Sequence, residues 1–259
     1  MPLIIIAPDD IGLIKNGSEE RRKLINSTLS QLNVHYLKNL IQYNKLLQQR
    51  NALLKTFVEK KYFNVALLQT YDDLLIPLSN FIHKKRKEFV ENIMPILQNF
   101  YEKLSQGKEN VSCSYKSDLN EKQISEILND NVKQDRQMQR TTQGVHRDDF
   151  SFFINNYRLK KFGSQGQQKS FLMALKLATY CYIQQQKNIK PILLLDDVFD
   201  KLDLQRIEQL IALVTNDTFG QIFISDTQLK RIKIIFDKLS LSYRTFEIKN
   251  SQNIVCSDF

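Results

Sequence analysis

The sequence predicts an α/β protein that carries an arm of long helices. Three observations predict it. From Ser18 to about Gln106, apolar residues recur every three or four positions, the period of amphipathic helices. From Pro191 onward, short apolar runs alternate with helical patterns, the order of a parallel α/β sheet. The run Leu3–Ile6, bounded by Pro2 and Pro8, reads as a buried strand at the start.

The elements follow in order. Ser18 stands where it would cap the first helix, with Glu19 and Glu20 at its positive dipole end. One apolar series runs from Leu29 through Tyr36 and Tyr43 to Leu54. A second runs from Val65 to Leu75, and a third from Phe81 to Phe100. Three long amphipathic helices fit these series. The basic run Lys84–Lys87 reads as a solvated helix face, with nucleic-acid contact as the alternative. "NVSCSYKS" alternates like a strand, and Glu121–Arg140 reads as one charged amphipathic helix. "GVHRDDFSFFINNYRLKKFGSQGQ" gives two short strands joined at Asn155-Asn156. A helix then runs to about Lys187. After it come a strand at Ile192–Leu195, a helix from Leu204 to Thr215, a strand in "FGQIFISDTQ", a helix, and a last strand, "RTFEIKN".

Bulk properties narrow the class. The chain has 259 residues, 42% of them hydrophobic, enough for one large domain or two small ones. Its net charge of +9 and pI near 9.3 fit either a polyanionic partner or an ordinary basic surface. Cys113, Cys181 and Cys256 lie far apart, without metal or disulfide spacing, which points to a reducing cytoplasm. No run approaches the roughly 18 apolar residues of a membrane span. "MPLIIIAPDD" has no basic leader, so it is not a signal peptide, and no membrane partner is expected. A chain that opens in a core strand suggests that something normally precedes it.

Two stretches carry chemistry. In Pro191–Asp197 the apolar residues predict a strand buried on both faces, with Asp196 and Asp197 emerging at its carboxyl end. Two carboxylates at such a place call for a cation, and Mg²⁺ with nucleotide phosphates supplies one. The alternative is a strand that ends in solvent, with the aspartates capping the next helix. The second stretch is Ser164-Gln165-Gly166-Gln167, which opens a helix. Free N–H groups and the helix dipole make such a start an anion site. Ser164 would add a hydroxyl donor, and Gly166 would let the backbone approach phosphate. A plain glycine-assisted helix cap is the alternative.

The order of these stretches, followed by Asp200 and Asp203, is that of ABC-type ATPase heads. "GVHRDDFSFFIN", "FGSQGQQKSFLMALKLA" and "PILLLDDVFDKLD" together resemble the RecF family of bacterial DNA replication and repair proteins. "APDDIGLIKNGSEERRKLIN" and "YNKLLQQRNALLK" fit earlier segments of that family, so the resemblance covers essentially the whole chain. It implies an incomplete ABC/SMC-type ATPase head, P-loop NTPase-like, with a long-helix arm. It also implies ATP and Mg²⁺ as cofactors, an ATP-dependent homodimer and slow ATP hydrolysis. The implied partners are DNA, as duplex or single-strand/double-strand junctions, together with RecR and RecO, in recombinational gap repair and the SOS response.

Residue by residue, the resemblance makes Asp196 the metal-holding Walker B carboxylate and Asp197 the catalytic one, which orients the attacking water. It makes Ser164, Gln165, Gly166 and Gln167 the signature that meets ATP held by the opposite subunit. Asp200 and Asp203 flank the D-loop. Asp226 and Thr227, after Ser225, occupy a switch position where related heads carry histidine. His146-Arg147-Asp148-Asp149 receive no catalytic step, and an ion-pair cluster is expected there. The Walker A pattern G-x-x-x-x-G-K-[ST] occurs nowhere in the chain. The chain therefore reads as the carboxyl-terminal part of such a protein, expected to be inactive alone. A non-catalytic interaction module, docking on a complete RecF or on RecO/RecR, is the second reading. The expected division is residues 1–17 as the first strand of lobe I, 18–110 as the arm, 111–190 as signature-bearing lobe II, and 191–259 as the remainder of lobe I.

Overall fold

A computed structural model describes residues 2–105, 107, 109–199, 204–250 and 253–258. Strand β1 (Leu3–Ile6) leads through a 3-10 turn into the short α1 (Gly12–Lys15). Helices α2 (Ser18–Leu32), α3 (Val34–Glu59) and α4 (Val65–Ser105) follow. Next come β2 (Val111–Lys116), α5 (Ile124–Asp130), α6 (Val132–Met138), β3 (Asp149–Ile154), β4 (Tyr157–Arg158) and α7 (Leu159–Phe162). The remainder is α8 (Gln165–Lys187), β5 (Ile192–Asp196), α9 (Leu204–Val214), β6 (Ile222–Ser225), α10 (Leu229–Lys238), β7 (Arg244–Asn250) and β8 (Asn253–Asp258).

The strands form a parallel sheet in the order β1-β5-β6, an antiparallel sheet β2-β3-β4, and the hairpin β7-β8. Helix α8 lies at the centre. Phe171, Ala174, Leu177, Ala178, Tyr180 and Ile183 on it are fully buried, so it is apolar nearly all round, as an enclosed helix must be. Its one buried lysine, Lys176, spans to β1, donating to the Ile5 carbonyl at 2.9 Å and pairing with Asp10 at 2.6 Å. A single core runs from β1 through α4 and α8 to α10, and a small separate cluster of Leu54, Phe57 and Leu68 closes the far turn between α3 and α4.

The helices divide differently from their apolar series. The series that includes Leu29 and Leu54 is cut at Asn33, whose backbone is extended and whose side chain accepts from the Tyr36 N–H at 3.1 Å. A local cap thus starts a new helix inside an unbroken period. Conversely, the second and third series are one helix, α4, with Pro77 and Pro95 inside it. Each proline removes one intrahelical donor. Burial of Leu68, Leu75, Ile82, Phe89, Ile93, Leu97 and Tyr101 outweighs those losses. The stretch Glu121–Arg140 is not one helix. Asn131 interrupts it, its Nδ2 donating to the Ile127 carbonyl at 2.8 Å and ending α5.

Three smaller corrections follow. Ser18 is the first residue of α2 rather than its cap, and its hydroxyl accepts from Arg22. "RTFEIKN" is followed by one further strand, β8. Strand β5 is buried on one face only. Leu193 and Leu195 are enclosed, with Ile4 and Ile6 beside them. The opposite face of the sheet carries Leu3, Ile5 and Phe223, all substantially exposed, because no described helix covers it.

Candidate functional site

Ser164 and Gln167 build the start of α8 between them. Ser164 Oγ accepts from the Gln167 N–H at 3.2 Å, and Gln167 Oε1 accepts from the Ser164 N–H at 2.7 Å. This reciprocal pair satisfies two donors of the first turn and leaves the Ser164 hydroxyl proton available. Ser164 and Gln165 are exposed; Gly166 and Gln167 are half-buried. The turn before the helix depends on Gly163, since a Cβ there would lie 2.8 Å from the Leu159 carbonyl oxygen. What lies against Gly166 is Arg206, at the start of α9. A Cβ on Gly166 would stand 2.7 Å from its guanidinium. Gln167 Nε2 donates to Glu109, and the Tyr101 hydroxyl donates to the other oxygen of the same carboxylate. A polar cavity of about 410 Å³ opens here, lined by Tyr101, Glu109, Ser164, Gln167 and Arg206 among others.

Asp196 and Asp197 are held by a different partner. Asp196 ends β5 opposite Ser225 of β6, whose hydroxyl donates to Asp196 Oδ1 at 2.6 Å. The Asp197 N–H points back to the same residue, 3.1 Å from Ser225 Oγ and 3.2 Å from its carbonyl. Asp197 has φ +47°, left-handed backbone that a non-glycine residue adopts at a cost. Both carboxylates are exposed, and among the described residues no third metal-ligating side chain joins them in a cluster. Such a pair suits a hard cation that keeps most of its shell as water and phosphate oxygen, rather than one caged by protein. Asp226 accepts from the Gln228 N–H, and Thr227 is exposed beside it. Asp200 and Asp203 lie outside the described residues.

Two candidate regions thus stand out, Ser164–Gln167 with Glu109 and Arg206, and Asp196–Asp197 with Ser225. Glu109 and Arg206 are not singled out by sequence, and Ser225 is named there only beside the switch position, not as a partner of Asp196. Only Ser225 left a signal there, as the last residue of the strand that follows the carboxylates.

The His146–Asp149 segment is an ion-pair cluster. Asp148 is buried, pairs with Arg86 at 2.6 Å, and accepts from Tyr115. Arg86 also donates to the Val145 carbonyl. It belongs to the run Lys84–Lys87, and its burial corrects the reading of that run as a wholly solvated face. Asp149 pairs with Arg21 at 2.8 Å. The segment therefore clamps α2 and α4 onto β3. His146 links Tyr43 (Nδ1, 2.8 Å) to the Thr141 carbonyl (Nε2, 3.1 Å), a pattern that sets Nε2 as the protonated nitrogen. Burial holds its pKa down to about 4, even against the Thr141 carbonyl. Burial likewise pushes the thiols of Cys113 and Cys181 up to about 12 and about 11, so neither is a ready nucleophile.

No protein-family model matches the chain. Curated relatives do. A DNA replication and repair protein RecF of Flavobacterium johnsoniae is 45% identical over 248 residues, 96% of this chain and 69% of that one. A protein of the same name from Bacteroides thetaiotaomicron is 39% identical, covering 96% of this chain and 66% of its own length. Among solved structures, the recombination mediator protein RecF-ATPrS of the RecFOR pathway superposes with a TM-score of 0.78 at 29% identity, over 88% of this chain and 63% of that one. The Smc head domain of Pyrococcus furiosus superposes at 0.50 and 16% identity over 99% of this chain and 61% of that one, a likeness of fold alone. The chain spans about two thirds of the length of the curated relatives it matches.

Proposed function

The chain belongs to the RecF family of DNA replication and repair proteins, with the fold of an ABC/SMC-type ATPase head, and from that premise we propose that it offers its signature, Ser164–Gln167, to ATP held by another RecF subunit. One observation carries the proposal. The Ser164 hydroxyl and the capped start of α8 stand exposed at a polar cavity, in a fold that superposes on a RecF solved with a nucleotide. A helix start of this kind attracts phosphate.

In this reading, Ser164 donates to the γ-phosphate across the subunit interface. Gly166 keeps the first turn slim, and Gln165 and Gln167 hold its shape. Asp196 serves Mg²⁺ through water in its own subunit, oriented by Ser225, and Asp197 positions the attacking water. The metal supplies charge neutralisation when bound. Asp226 and Thr227 sense the nucleotide without a histidine, and Asp200 and Asp203 belong to the crossing loop. Residues 1–17 and 191–259 form one lobe, 111–190 the signature lobe and 18–110 the arm; the pairing of β1 with β5 supports this division. The activity served is ATP-dependent DNA binding in recombinational gap repair, in the cytoplasm and alongside RecO and RecR.

The test mixes the chain with a complete RecF subunit that carries a Walker A loop. Sedimentation should show association when Mg²⁺-ATP is added, and Ser164→Arg should abolish it, because a bulky cation then fills the gap. Association that ignores either ATP or this substitution contradicts the proposal.

A further inference from the structure

The segment just before the signature, "YRLKKF" (Tyr157–Phe162), is absorbed neither by the signature chemistry nor by the core. It has one buried anchor, Leu159, which is fully enclosed. Everything else faces out. Tyr157 is 63% exposed and Phe162 66%, and their rings form an edge-to-face pair with centroids 5.6 Å apart. Arg158, Lys160 and Lys161 are exposed between them. Helix α1 packs against α7 and brings a fourth exposed cation, Lys15. Among the described residues none of these four side chains forms an ion pair or hydrogen bond.

The frame beneath is a hydrogen-bonded hairpin. β3 and β4 are joined by Asn155 and Asn156, both with positive φ, the two-residue hairpin turn that matches strand twist. Asn155 is tied further by the bond from the Asn110 N–H to its side chain at 2.9 Å. Two large rings left exposed to water together mark an interaction surface. Four uncompensated cations around them select a polyanion. A ligand that presents phosphates and flat aromatic faces together satisfies both features.

We propose that Lys15, Tyr157, Arg158, Lys160, Lys161 and Phe162 form a contact surface for single-stranded nucleic acid, with bases stacking on the two rings and phosphates meeting the cations. A duplex keeps its bases stacked on one another and offers the rings nothing, so the strand is single or locally opened. The inference rests on the reading of this chain as a DNA-binding RecF and adds to it where on the chain the contact is made.

The test is fluorescence anisotropy of the 259-residue chain with a labelled oligo-dT, across a salt series. Removing three cations together (Arg158→Ala, Lys160→Ala, Lys161→Ala) should weaken binding at least ~10-fold and flatten the log–log salt slope by about 2, since each single-strand phosphate contact contributes about 0.7. Tyr157→Ala with Phe162→Ala should weaken binding by about 10- to 100-fold and leave the slope unchanged, because stacking releases no counterions. Tyr157→Phe should retain binding. All these positions are exposed, and circular dichroism checks that the variants fold. Wild-type affinity in either set overturns the surface. So does equal binding of a duplex that ignores ring removal. A loss of self-association with no loss of DNA affinity would make the surface a contact between copies and overturn the inference as well. If the wild-type chain binds no DNA, the broader reading of this chain as DNA-binding falls with it; if it binds through other residues, only this inference falls.

Discussion

Asp197 occupies left-handed backbone although it is not glycine. Two bonds from its N–H to Ser225 hold it there. Such a residue stores on the order of 1 kcal/mol of strain. Replacing it by Gly should therefore give a protein about 1 kcal/mol more stable than replacing it by Ala, read from denaturant midpoints. Equal stability would mean that the backbone is not strained. His146 gives a second prediction at this scale. Its folded pKa of about 4 lies below the ordinary 6.5, so the unfolded chain takes up its proton first as pH falls. Stability from this group is intact above pH 6.5 and declines down to about pH 4. Between pH 7 and pH 5 the loss should be about 2 kcal/mol. His146→Gln should remove that slope, measured by urea unfolding at each pH. An unchanged slope would place the titration elsewhere. The capped start of α8 was legible at this scale, because Ser at the cap and Gln three residues on are adjacent in sequence. Glu109 and Arg206 were not, because each reaches the site from a distant element.

Helices α3, α4 and α6 are joined by one buried cation. Arg50 is fully enclosed and bonds Asp72, Asp135 and Thr141, each within 2.8 Å. Removing one member of such a group strands the others. Arg50→Met should cost about 3–5 kcal/mol, and adding Asp72→Leu should recover part of that, as thermal unfolding would show. A loss below about 1 kcal/mol would mean that the carboxylates find water instead. Periodicity alone located the helical region and most strands, because burial writes itself into apolar spacing. It misplaced the helix ends at Asn33 and Asn131, where a single side-chain bond decides the break. It also divided α4, because one apolar series reads to Leu75 and the next from Phe81 while the helix runs on through Pro77. Arg86 illustrates the same limit, a charge in a charged run that the fold buries against Asp148.

At the scale of the whole molecule, Ser164–Gln167 and Asp196–Asp197 are held by separate partners, an arrangement compatible with the proposed action across subunits. Asp196 and Ser225 share the parallel sheet with the exposed Leu3, Ile5 and Phe223, while Ser164 and Gln167 line the polar cavity beside α4 and α9. The chain has carboxylates suited to Mg²⁺ but no Walker A pattern. Calorimetry should accordingly detect no tight ATP binding to the 259-residue chain alone, and micromolar binding would reveal another phosphate cradle in it. The central claim, that Ser164–Gln167 act across a subunit interface, is tested most directly by rescue of ATP hydrolysis. A complete RecF whose own signature serine is replaced by arginine should be inactive, and adding this chain should restore turnover. The Asp196→Asn chain should restore it equally, because Asp196 serves a nucleotide in its own subunit, whereas the Ser164→Arg chain should not restore it. No rescue by the wild-type chain, or equal rescue by the Ser164→Arg chain, would contradict the account.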